Sequence, residues 1–140
     1  MIAPPPFLLE TPQMAPERRT IELTMAHDLI ANLEALIAKG GDGAALRLAL
    51  AARYLDAGDA LAAAQHAQAA VRLDPEYSAA WKALGRALTA AGRNADALTA
   101  YERGVTVAER RGDQQAAKEM RVFSKRLRRS AGPPQDESTD

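Results

Sequence analysis

The chain has 140 residues, room for one domain and little more. Its 18 basic and 18 acidic side chains cancel, so no global field draws it onto nucleic acid or an anionic membrane. There is no cysteine, which excludes disulfides, thiolate metal sites and a cysteine nucleophile. Alanine supplies 32 residues while Phe, Trp and Tyr make up 4%, a composition that favours closely packed helices over a sheet.

Residues 1–19 hold five of the eight prolines and read as a disordered or extended arm. Within it Phe7-Leu8-Leu9-Glu10 is an apolar island that either stays unstructured or docks on a surface. The first residues lack a basic secretory n-region, and no apolar run approaches the ~20 residues a membrane span needs, so a cytoplasmic location is expected. A helix is expected from Thr20 or Thr24 to Lys39, with Leu29, Ile30, Leu33, Leu36 and Ile37 on one buried stripe and Gly40-Gly41 as its stop.

Two helix hairpins follow. The first spans about 44–77, with Asp42 as the expected cap, Gly58-Asp59 as the turn and Asp74-Pro75 as the end. The second spans about 78–111, with Gly92-Arg93-Asn94 as the turn and Asn94 as the cap. A last helix, capped by Asp113, runs to about Arg129, with Ala116, Met120, Phe123 and Leu127 on its apolar stripe and five cations mainly on the other side. Residues 130–140 form a polar, acidic tail, expected to be disordered; its acids could fold back onto the basic surface.

The two hairpins are copies on a 34-residue ruler. Leu84, Gly85, Leu88, Gly92, Ala97 and Tyr101 fall over Leu50, Ala51, Tyr54, Gly58, Ala63 and Ala67. Subtracting the same period from 63, 67 and 70 reaches Leu29, Leu33 and Leu36, so the first helix reads as half a repeat capping the stack. Trp81-x2-Leu84-Gly85, then Ala97-x3-Tyr101, resembles the tetratricopeptide repeat. Departures are Arg47 at the tryptophan position of the first repeat, with Leu88, Gly104 and Glu109 at the tyrosine, alanine and proline positions of the second. The resemblance covers about residues 24–129. It implies an all-α superhelix of two full repeats flanked by an N-terminal helix and a C-terminal capping helix.

Chemistry finds little purchase. His27 and His66 sit on different helices without metal-ligand spacing, and the four serines lie in no nucleophile motif. Gly40-Gly41-Asp42-Gly43 lacks the lysine of a phosphate loop. Neither catalysis nor a cofactor, metal or small-molecule substrate is expected.

What the resemblance implies instead is a non-catalytic adaptor whose concave groove holds a protein or peptide. Carried over residue by residue, the groove takes Ala45, Leu48, Ala52 and Leu55 from the first repeat and Ala79, Lys82, Arg86 and Thr89 from the second. The capping helix, aligned with the second repeat after a slip of one residue, adds Ala117, Arg121, Ser124 and Lys125. Lys82, Arg86 and Arg121 resemble part of a carboxylate clamp, so an acidic or C-terminal carboxylate partner is expected, although Leu48 and Ala52 replace the clamp's lysine and asparagine. The rivals are self-association through an end helix and contact of the basic last helix with nucleic acid or anionic membrane.

Overall fold

The computed structural model describes residues 16–131, which run as six α-helices with no strand among them. They are α1 (Pro16–Leu36), α2 (Ala44–Asp56), α3 (Ala60–Leu73), α4 (Ser78–Ala90), α5 (Asn94–Arg110) and α6 (Gln114–Ser130), with a π-helical turn, Ile37–Gly41, after α1. Each helix packs mainly on its neighbours in the chain, and α4 also touches α2 and α6. The odd and even helices therefore form two layers of an α-solenoid, with α2, α4 and α6 in the inner one.

Three turns are built alike. Gly58, Gly92 and Gly112 adopt φ of 84°, 79° and 77°, a left-handed conformation that closes the preceding helix and reverses the chain. The residue after each glycine donates its amide to a carbonyl in the last turn of that helix: Asp59 to Tyr54, Arg93 to Leu88 and Asp113 to Ala108. Asp59 and Asp113 then cap the next helices, accepting from the Ala62 and Ala116 amides at 3.1 Å each.

Small side chains set the helix spacing. Ala63, Ala67, Ala70, Ala80, Ala97, Ala108 and Ala117 are fully buried, and at helix contacts of this kind a bulkier side chain would force the axes beyond the usual 8–10 Å. Gly85 lies against the Tyr101 ring, and Gly104 against Met120 and Trp81; a Cβ on Gly104 would stand 2.8 Å from the Trp81 Cβ. Tyr101 in turn stacks on Phe123, with ring centroids 5.5 Å apart, which fastens α6 to α5.

Several expectations from the sequence are corrected. The first helix begins by Pro16, so residues 16–19 are helical rather than part of a disordered arm; residues 1–15, with the apolar island, lie outside the described residues. Its stripe is split: Ile30 is buried and Leu33 and Ile37 half-buried, but Leu29 and Leu36 are 42% and 51% exposed. At 100° per residue Leu29 and Leu36 lie about 100° and 120° from Ile30, and with only α2 beside it among the described helices α1 can cover one face. Asp42 does not cap α2; it holds Arg47, and Gly43 takes the cap position. Asn94 is the first residue of α5 and makes no cap bond, because Arg93 precedes the helix. In α6 the buried residues are Ala117, Met120, Ser124 and Leu127, leaving Ala116 and Phe123 half-buried. The acidic tail starts later than residue 130, since Ser130 ends α6 and Ala131 caps it; residues 132–140 lie outside the described residues.

The first repeat replaces the tryptophan contact with a polar cluster. The Arg47 guanidinium donates to both Asp42 oxygens at 2.8 and 2.9 Å and contacts His66 Nδ1 at 3.1 Å. Only a neutral imidazole accepts there, so the proton sits on Nε2. His66 also stacks on Tyr54, centroids 5.3 Å apart, and the Tyr54 hydroxyl donates to Glu34 of α1, which pushes the phenol up to about 12. Burial and then the Arg47 charge hold His66 below its ordinary value of 6.5, while Glu34 and Asp42 oppose them. The unfolded chain thus binds this proton more readily, so stability is full above 6.5 and falls as the pH drops through that value towards the folded one. Urea midpoints measured from pH 7.5 to 5.5 should decline for the parent and hold steadier for His66→Gln. An equal decline in both would rule out His66 as the source.

Candidate functional site

The centre of the molecule is α4, which works on two sides. Ala79, Lys82, Ala83 and Arg86 share one face, and Trp81, Leu84 and Leu88 lie about half a turn away. The first set meets Leu48, Ala51, Ala52 and Leu55 of α2 around a depression of about 180 Å³ on the concave side. Six of the twelve expected groove residues, Leu48, Ala52, Leu55, Ala79, Lys82 and Arg86, are therefore brought together.

The other six, Ala45, Thr89, Ala117, Arg121, Ser124 and Lys125, are not. Thr89 points its hydroxyl back to the Gly85 carbonyl at 2.8 Å and does not line the depression. Arg121 and Lys125 line a different hollow of about 260 Å³ with Glu102, Val105, Ser124 and Arg128, between α5 and α6 at the end of the stack. The reason is the roll of α6: Ala117 and Ser124, which were expected to face the groove, are buried against α5. That roll turns Glu119 towards α4 instead.

Glu119 changes the electrostatics of the groove. Lys82 Nζ donates to Glu119 Oε2 at 2.8 Å, and Gln115 holds the other carboxylate oxygen at 3.1 Å. Lys82 and then Gln115 keep the Glu119 carboxyl below its ordinary value. Arg121 is likewise engaged by Glu109. The expected Lys82–Arg86–Arg121 clamp is thus not assembled: two members already hold carboxylates of the chain, and Arg86 alone has no ion pair among the described residues. What the site offers is a small apolar floor with one exposed guanidinium at its rim.

A second concavity was not expected from the sequence. Helices α3 and α5 each pack on α4 but scarcely on each other, which leaves a trough on the far side of α4. Two adjoining depressions of about 370 and 360 Å³ form it, floored by Trp81, Leu84 and Leu88 and walled by Gln68, Arg72, Arg93 and Arg103. The signal was present in the alanine-rich α3, where Gln65, Gln68 and Arg72 interrupt the alanines at helical spacing.

No cluster of three metal-ligating side chains forms among the described residues, and none of their helices is long and apolar enough to cross a membrane. The arrangement is that of a short α-solenoid, a class whose usable surfaces are the faces between successive hairpins.

Comparison with known proteins agrees. Residues 42–128 match the family model described as "Bacterial transcriptional activator domain". Over 102 residues the chain is 52% identical to the TPR repeat-containing protein PA0015 of Pseudomonas aeruginosa, covering 73% of this chain and 97% of that one. The solution structure of protein BPP2914 from Bordetella parapertussis superposes with a TM-score of 0.63 at 44% identity, over 72% of this chain and 88% of that one. A tetratricopeptide repeat domain protein from Salinibacter ruber gives 0.57 at 27% identity, over 61% and 87%. The chain belongs to the tetratricopeptide-repeat family, helical repeat proteins that generally mediate protein–protein interaction rather than catalysis.

Proposed function

We propose that this protein is an interaction adaptor that holds a peptide segment of a partner protein in the concave depression between α2 and α4. The observation that carries this reading is the convergence of Leu48, Ala52, Leu55 and the Lys82 and Arg86 side chains on one small hollow. Its apolar floor accepts one aliphatic or aromatic anchor. Arg86 stands ready for a carboxylate next to that anchor, through a charge-assisted bond. Lys82 joins only if the incoming carboxylate displaces Glu119, so the preference is for an apolar residue flanked by one acidic residue or by a chain terminus.

The test is a peptide-display selection against the full chain, followed by Kd measurements on Ala52→Arg and Arg86→Glu. Filling the floor with Ala52→Arg should weaken selected peptides by at least about tenfold, the ~1.4 kcal/mol of one lost anchor. Arg86→Glu should weaken chiefly the acidic ones. If peptides bind both variants as they bind the parent, the groove is not the site.

A stripe on α1 that no other described residue covers supports self-association as a second reading. Ile21, Met25, Leu29 and Leu36 fall on one side of the helix and are 58%, 64%, 42% and 51% exposed. Sedimentation equilibrium of the parent and of Met25→Glu would show whether copies pair there.

A further inference from the structure

The trough behind α4 carries more positive charge than its surroundings balance. Arg72, Arg93 and Arg103 line it with a single carboxylate, Asp96, which Arg93 already holds at 2.8 Å. Arg103 lies over the Trp81 ring, 5.9 Å from its centroid, and neither it nor Arg72 has an ion pair among the described residues. On the neighbouring surface Arg110, Arg121 and Arg128 are each met by a glutamate, Glu76, Glu109 and Glu102, whereas Arg111, Arg126 and Arg129 have no ion pair among the described residues.

An acidic segment of the chain itself starts close by. Residues 132–140, Gly-Pro-Pro-Gln-Asp-Glu-Ser-Thr-Asp, contain three carboxylate side chains and no cation. Their point of departure follows from the α5–α6 register. Arg121 meets Glu109, and Arg128, seven residues on, meets Glu102, seven residues back. Extending that antiparallel register sets Ala131 beside Thr99, which is itself a wall of the trough.

Glu102 and Arg103 are about 100° apart on α5, so the side facing α6 and the side facing the trough are separated by about a third of the helix circumference. For a helix ~10–12 Å across, that arc is roughly 10 Å. Five residues at ~3.3 Å reach about 16 Å, so Asp136 and Glu137 are the first acidic residues able to arrive. Pro-Pro sequences such as Pro133-Pro134 favour extended over helical backbone.

We propose that residues 132–140 fold across α5 at Thr99 and lie in the trough, Asp136 and Glu137 against Arg103 and Arg93 and Asp140 towards Arg72. The tail thereby covers the basic face of the molecule and leaves the concave groove open. Each exposed pair is weak, but tethering presents the acids to the arginines at an effective concentration on the order of millimolar.

The chain's composition supplies the test. It has no cysteine and one tryptophan, so Ser138→Cys takes a single nitroxide label and the Trp81 indole N–H gives a single resonance on the trough floor. In the full-length labelled chain, paramagnetic broadening should remove most of the intensity of the Trp81 indole and of the Thr99 and Arg103 amides. The intensity should return in Arg72→Glu/Arg103→Glu, shown by circular dichroism to be folded. It should also return near 1 M salt, where the Debye length is ~3 Å, and remain lost in Arg86→Glu. Unbroadened trough resonances, broadening that survives the double reversal, or broadening centred on Lys82 and Arg86 would each overturn the proposal.

Discussion

Trp81→Ala is expected to cost about 3–5 kcal/mol, the range for truncating a buried aromatic side chain to alanine. Trp81 is only 9% exposed, and its indole N–H donates to the Pro75 carbonyl at 2.8 Å, which ties the start of α4 to the turn that precedes it. Removal therefore opens a cavity where α3, α4 and α5 meet and leaves the Pro75 carbonyl without that donor. Against a total stability of ~5–15 kcal/mol for a domain this size, the melting temperature should fall by roughly 10 °C or more. Trp81→Phe keeps most of the packing and loses the hydrogen bond, so it should cost about 1–2 kcal/mol. Thermal melts followed by circular dichroism measure both, and a fall of under ~4 °C for the alanine variant would show that the repeat interface does not depend on this ring.

Gly85→Leu should be comparably severe, for the opposite reason. A helix interior ordinarily gains ~1 kcal/mol when glycine becomes alanine and nearly as much for leucine. Here even a Cβ runs into the Tyr101 ring, and that ring is 2% exposed and backed by Phe123. It has nowhere to move, so overpacking at or beyond ~3 kcal/mol outweighs the propensity gain. The mechanism predicts non-additivity: Gly85→Leu/Tyr101→Ala should be more stable than the sum of the single effects implies, because the new side chain occupies the space the ring leaves. Strict additivity in urea unfolding would mean that the two residues do not share that space.

Both predictions rest on positions that were legible in the sequence. Trp81, Gly85, Ala97 and Tyr101 announce the repeat, and they mark where helices touch at fixed spacing, so pattern and contact coincide. The turns were legible at Gly58 and Gly92 because few residues other than glycine accept the positive φ found there. The caps were half legible. Asp113 bonds the amide three residues on as expected, and Asp59, expected only in the turn, does the same, but Asp42 was drawn away by Arg47 and Asn94 was displaced by one position.

The candidate groove divides along the same line. Within the two repeats, residues one period apart occupy equivalent places, so Leu48, Ala52, Leu55, Lys82 and Arg86 converge as the 34-residue ruler implies. Beyond Arg111 the ruler breaks: Ala117, Met120 and Ser124 take the buried places that Trp81, Leu84 and Leu88 hold 36 residues earlier, one residue more than the expected alignment of the last helix, and one residue is a turn of 100° about the helix axis. That turn buries Ala117 and Ser124, sends Arg121 and Lys125 to the end of the stack, and presents Glu119 to Lys82.

The sequence by itself determined the class of fold, the hairpin turns and the small-residue contacts, because each depends on neighbours within one 34-residue unit. Only the tertiary structure decided which cations are already neutralised, which face α6 turns inward, and that α3 and α5 stand apart over Trp81. Those outcomes depend on the roll and spacing of whole helices against each other, and pairs such as Lys82–Glu119 and Glu76–Arg110, 37 and 34 residues apart, meet only after the helices have packed.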